Sequence, residues 1–172
     1  RYASRGLGDV YKRQDLRSIV TRFAYTHFNS KDEELLAAKE VYNIAFENSN
    51  SGKLQKFEHW FSSKDKSRTK LFLVGNKISS PDFNLFDTLD LYCEFLLYYN
   101  FVENADKNNV FDLLKYPLIS DFFNNFKQLP KMQKYFESEL YKLPFTNKGA
   151  KFGSGKSGIT WLSLIHISEP TR

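Results

Sequence analysis

The chain has 172 residues, 41% apolar and 26% charged, enough for one hydrophobic core. Its formal charge is +5, but without residues 1–14 and 162–172, set aside below, 20 basic residues face 18 acidic ones; the remaining +2 exerts little pull on phosphate backbones and argues against nucleic-acid binding. A single cysteine excludes an intrachain disulfide and favours a reducing, cytoplasmic setting, and no apolar run reaches the length of a membrane span.

The two ends stand apart from the rest. Every residue from Ser4 to Gln14 can be encoded by the reverse complement of a codon for its counterpart in Leu162 to Arg172 read backwards, for example Val10 against His166 and Gly6 against Pro170. Protein physics gives no reason for such a relation, whereas one DNA adapter translated at both ends produces it. Residues 1–14 and 162–172 are therefore expected to be adapter-derived, with a helical domain and its tail over 15–153 and a flexible Gly/Ser-rich tail over 154–161. On this expectation the native protein began before Asp15.

Hydrophobic spacing is helical along nearly all of that domain. Ile19, Val20, Phe23, Ala24 and Phe28 mark an apolar stripe over residues 15–28. Ser30 and Glu33 have capping-box spacing, which predicts a second helix from Lys31 with Leu35, Ala38, Tyr42, Ala45 and Phe46 on its inner side. Asn48–Gly52 reads as a turn, and Leu54, Phe57, Trp60 and Phe61 as a short third helix. Ser62 to Thr69 is polar and reads as a solvated connection.

Ser79 and Asp82 form a second capping box with Pro81 in the first turn, and Ile78 and Phe83 stand at hydrophobic-staple spacing. Behind them Phe83 to Tyr99 is apolar on more than one side, which predicts the central, most buried helix. Pro117 and Pro130 each suit a helical first turn. Leu118, Phe122 and Phe126 would line one helix, and Tyr135, Phe136 and Leu140 the next. Pro144 ends the pattern. Gly149 to Ser157 nearly spells a phosphate-binding loop, but Ala150 stands where the first glycine belongs, so no nucleotide site is expected. His27 and His59 lack partners at ligand spacing, so no metal site is expected.

Three segments in order resemble the cytosolic glutathione transferases. FLVGNKISSPDFNLFD (Phe72 to Asp87) looks like the loop, capping box and central helix of their C-terminal domain, and YPLISDFFNNFKQLPKMQKYFES (Tyr116 to Ser138) like the next two helices. PFTNKGAKFG (Pro144 to Gly153) is similar to the mu-class tail, with the sigma class as second choice. The resemblance implies an all-α bundle of the C-terminal-domain type. The family's N-terminal thioredoxin-like domain, with the tyrosine that activates the thiol, is not represented, so no catalytic residue is assigned.

For the parent protein the resemblance implies a homodimer that adds glutathione, a co-substrate rather than a bound cofactor, to small hydrophobic electrophiles. The residues carried over are Glu47, for the acidic residue that reaches the glutathione amine across the dimer, and Phe57 as an aromatic wall of the electrophile pocket. Phe145, Thr146 and Phe152 come from the tail that covers that pocket. Each has a plain alternative: Glu47 as a solvated helix-end carboxylate, Phe57 as core, and the tail as simple packing. The hairpin around Asn48–Gly52 is shorter than the family's paired helices, either natively or through an assembly gap. A non-catalytic ligand-binding or protein-docking module is the rival reading.

Overall fold

The computed structural model describes residues 16–47, 52–62, 72–74, 77–141, 143, 146 and 149–153. Both expected adapter segments, the NSNS stretch of the turn, most of the 62–69 connection and the 154–161 tail lie outside them. Every regular element among the described residues is helical, as expected. The order is α1 (16–25), α2 (Lys31–Tyr42) running into a π-helical segment (Asn43–Glu47), α3 (Lys53–Ser62), α4 (Ser80–Tyr98), α5 (Val110–Leu113), α6 (Pro117–Lys127) and α7 (Gln133–Phe136).

Helix α2 begins where its cap places it, since the Ser30 hydroxyl accepts the Glu33 N–H at 3.1 Å. The Glu33 carboxylate reaches one residue further back than a simple box requires and accepts the Asn29 N–H at 2.8 Å. Of the predicted inner face Ala38, Ala45 and Phe46 are buried and Tyr42 is partly so, but the face departs at its start. Leu35 is 39% exposed, whereas Glu34 is buried beside Ala38 and Val41. Glu34 can take the inner position because its Oε1 accepts the Tyr99 hydroxyl and Lys31 Nζ, each at 2.7 Å, so the buried charge is paired. Those donors hold its carboxyl below the ordinary range against the opposing cost of burial.

Helix α4 is the central one. Eleven of its 19 residues are buried. Phe86 stacks on Phe126 at 4.5 Å and Phe123 at 4.9 Å, fixing α6 against its first half. Its start is fixed by the fully buried Asp82, whose Oδ2 accepts the Ser79 N–H at 2.8 Å and the Ser79 hydroxyl at 2.6 Å. Asp82 Oδ1 accepts the Leu73 N–H at 2.6 Å, so one carboxylate closes the helix end and pins the preceding loop. Phe83 is 44% exposed, and its ring meets Phe126 edge-on at 5.3 Å. At the far end Asn100 turns left-handed (φ 51°), and Phe101 N–H bonds back to Leu96 O at 3.0 Å, a Schellman closure.

The same closure ends α5, where Lys115 has φ 64° and Tyr116 N–H donates to Phe111 O at 2.8 Å. A Cβ in this region costs about 1 kcal/mol or more. Lys115→Gly is therefore expected to raise stability by ~0.5 kcal/mol after the glycine entropy is subtracted, measured by urea unfolding. A loss of stability there would show that the lysine side chain holds the turn.

Pro117 opens α6 as predicted, and α3 supplies its missing acceptors. Glu58 Oε1 and Oε2 take the Leu118 and Ile119 N–H groups at 2.9 and 3.0 Å. Burial pushes the Glu58 carboxyl up despite those two donors. Pro130 does not open a helix. It lies in a turn, α7 starts only at Gln133, and Tyr135 and Leu140 are 45% and 68% exposed, so only Phe136 of the predicted trio packs inward.

Candidate functional site

The described residues of the tail are held against the bundle by a specific set of contacts. Phe152 is 1% exposed, with its ring among Phe95 (5.5 Å), Phe23 (6.3 Å) and Tyr99 (6.5 Å). The backbone on both sides is tied down. Lys151 N–H donates to Ala24 O, in the last turn of α1, at 2.8 Å, and the Thr146 hydroxyl donates to Phe152 O at 2.6 Å. Thr146 N–H also donates to Gly153 O at 3.2 Å, and Gly153 sits at φ 70°, which suits a residue without a Cβ. Lys151 Nζ lies 3.9 Å from Glu34 and 5.5 Å from the Phe28 ring centre. The tail thus straps α1 to α2 and α4 through one aromatic plug and a short set of polar bonds.

Of the predicted site residues, Thr146 and Phe152 lie together in this strap. Phe145 lies outside the described residues. Glu47 and Phe57 belong to the α2–α3 region instead. Phe57 is 7% exposed, so its ring faces the core. Glu47 is exposed at the end of the π-helical segment and is hydrogen-bonded to Tyr42, which it joins with burial in pushing the Tyr42 hydroxyl up. The buried Phe46 shares this segment, and its carbonyl accepts the Tyr116 hydroxyl at 2.6 Å. A line of ring contacts joins the two regions, running Phe46–Tyr92 (5.5 Å), Tyr92–Phe95 (6.2 Å) and Phe95–Phe152 (5.5 Å).

A second polar centre had no signal in the sequence. Asp90, 1% exposed on α4, accepts the Tyr141 hydroxyl at 2.9 Å and Lys107 Nζ at 3.2 Å, while Lys107 also pairs with Glu94 at 2.6 Å. These carboxylates push the Lys107 ammonium up against the larger opposing effect of burial. Beside Asp90 opens a groove of about 390 Å³ walled by Phe83, Phe86, Phe126, Met132 and Tyr135, with Asp87 at its edge. Cys93 is fully buried, and desolvation pushes its thiol up, so it is an unreactive core residue. Among the described residues no cluster of three or more His, Cys, Asp or Glu could hold a metal, and no helix is long and apolar enough to cross a membrane.

A central capped helix and a proline-started α6, with a tail strapped back over them, make an all-helical domain. Residues 14–139 match the family model for the glutathione S-transferase C-terminal domain, and the chain belongs to that family. It is similar to a glutathione S-transferase class-mu 26 kDa isozyme of Schistosoma mansoni, at 30% identity over 142 residues. The matched region takes in 82% of this chain and 52% of that relative, so the chain spans about half the relative's length. No solved structure matches it.

Proposed function

We propose that this chain is the electrophile-side half of a mu-like glutathione transferase, a cytoplasmic homodimer that joins glutathione to small hydrophobic electrophiles. The observation that carries the reading is the strap. A match to the C-terminal-domain family is accompanied, beyond residue 139, by a tail folded onto α1 and α4 through Phe152. In this reading the missing half binds glutathione and stabilises its thiolate, which forms the new C–S bond while the leaving group departs with its electron pair. The helices supply apolar walls. Phe145, Thr146 and Phe152 form and anchor the cover, Phe57 backs the wall from the core, and Glu47 reaches the glutathione amine of the other subunit. Residues 1–14 and 162–172 are adapter-derived in this reading and play no part.

Glu47 gives the sharpest test. In the intact protein Glu47→Gln is expected to raise KM for glutathione about tenfold with kcat little changed, the signature of a lost charged contact in the ground state. Unchanged kinetics would remove Glu47 from the site.

The non-catalytic module reading draws on the short α2 and α3 and on the burial of Phe57 and Phe152, which leaves fewer rings free to wall a pocket. It requires an intact protein whose upstream part lacks an activating tyrosine. Sequencing the complete message decides between the two.

A further inference from the structure

We propose that Thr146 is a phosphorylation site, and that a phosphoryl group placed there docks on Arg17 and frees the tail from the bundle. Such a switch lies wholly within this chain and is independent of the glutathione reading.

Thr146 closes the tail on itself. It is 8% exposed, its hydroxyl donates to Phe152 O at 2.6 Å, and its N–H donates to Gly153 O at 3.2 Å, so the loop between them holds the Phe152 ring in its cluster. A phosphate ester at Oγ1 has no proton to donate, and it sets anionic oxygens against the Phe152 carbonyl. The bond is lost and repulsion replaces it, so the segment that carries Phe152 cannot keep its path.

The phosphoryl group has a place to go. Thr146 lines a cavity of about 120 Å³ together with Arg17, Thr21, Tyr25 and Asp87. Arg17 gives an N–H to Asp87 there, and a guanidinium has further donors in a fork that matches phosphate. A phosphate of about two negative charges pulls on that guanidinium harder than one carboxylate does.

The tail is also built to be taken by a kinase. Beyond Phe136 the described residues lie in turns and bends, so Thr146 is brought out without unwinding a helix. In the sequence Lys142 precedes Thr146, and Lys148 and Lys151 follow it, a pattern that suits a kinase with an acidic substrate groove. In the transfer Thr146 Oγ1 attacks the γ-phosphorus of a nucleoside triphosphate. The bond to the β-phosphate oxygen breaks with its electrons on the departing diphosphate, and the hydroxyl proton passes to the kinase's base.

The test incubates this chain and its Phe152→Ala, Thr146→Val and Arg17→Gln variants with magnesium ATP and the catalytic fragment of protein kinase C, and locates phosphate by tandem mass spectrometry. Phosphate is expected on Thr146, at least about fivefold faster in Phe152→Ala, whose tail is open more of the time. After phosphorylation the Lys151 N–H, bonded to Ala24 O in the closed tail, should exchange at least about tenfold faster. The same treatment should change nothing at Lys151 in Thr146→Val. By phosphorus NMR the phosphothreonine should titrate at lower pH than in Arg17→Gln, because the guanidinium favours the dianion. A Thr146 left unmodified in both the unaltered chain and Phe152→Ala overturns the proposal. So does a phosphorylated Thr146 with the Lys151 protection intact, and equal titration with and without Arg17 overturns the docking.

Discussion

Replacing Asp82 with alanine is expected to cost about 3 kcal/mol or more, lowering the thermal midpoint by roughly 10 °C in a domain of this size. The carboxylate is fully buried and accepts three hydrogen bonds, two from Ser79 and one from the Leu73 N–H nine residues upstream. Alanine leaves the two N–H groups without their acceptor and frees the loop before α4. Asp82→Asn keeps one acceptor oxygen but turns a donor toward other donors, and should lose about half as much. Thermal unfolding followed by far-UV circular dichroism checks both. A midpoint within 2 °C of the unaltered chain for Asp82→Ala, under the roughly 3 °C per kcal/mol that applies here, would mean the cap is replaced by water at little cost.

Phe152→Ala is the second large effect. A phenylalanine removed from a packed core costs about 3–5 kcal/mol when the surroundings cannot relax. Here the tail can lift away, so the expected loss is nearer 2 kcal/mol, with a distinctive local sign. The Lys151 N–H, bonded to Ala24 O, should lose its hydrogen-exchange protection, and Phe23, Phe95 and Tyr99 should gain access to solvent. Protection of Lys151 retained in Phe152→Ala would show that the polar bonds alone hold the strap.

What the sequence revealed and what it hid divide by range. The start of α2 at Lys31 was legible because Ser30 and Glu33 cap within four residues, and Pro117 announced α6 because a missing N–H is harmless at a first turn. Pro130 misled for the same reason: a proline permits a helical start without requiring one, and the chain stays in turns until Gln133. Reversal of the inner face at Glu34 and Leu35 had no local signal, since the Tyr99 hydroxyl that satisfies Glu34 lies 65 residues along the chain. The capping role of Asp82 was readable; its bond to Leu73 was not. The tail was recognisable by its aromatic residues, yet only three-dimensional packing puts Phe152 inside the bundle. Nothing in the local pattern around Lys107 or Tyr141 brings both onto Asp90.

The reading of Glu47 and Phe57 turns on the same distinction. Both were placed by likeness across a region where the helices are short, and the structure sets one on the surface and the other in the core. A charged residue on the surface suits a contact completed by a partner subunit. A buried ring can shape a pocket only from behind.

In the proposed function these helices support sulfur chemistry performed by another part of the protein. The direct measurement is conjugation of glutathione to 1-chloro-2,4-dinitrobenzene, followed by the absorbance of the thioether, for this chain and for the intact protein under identical conditions. This chain is expected to give only the uncatalysed rate, and the intact protein saturable catalysis. Saturable conjugation by this chain alone would contradict it.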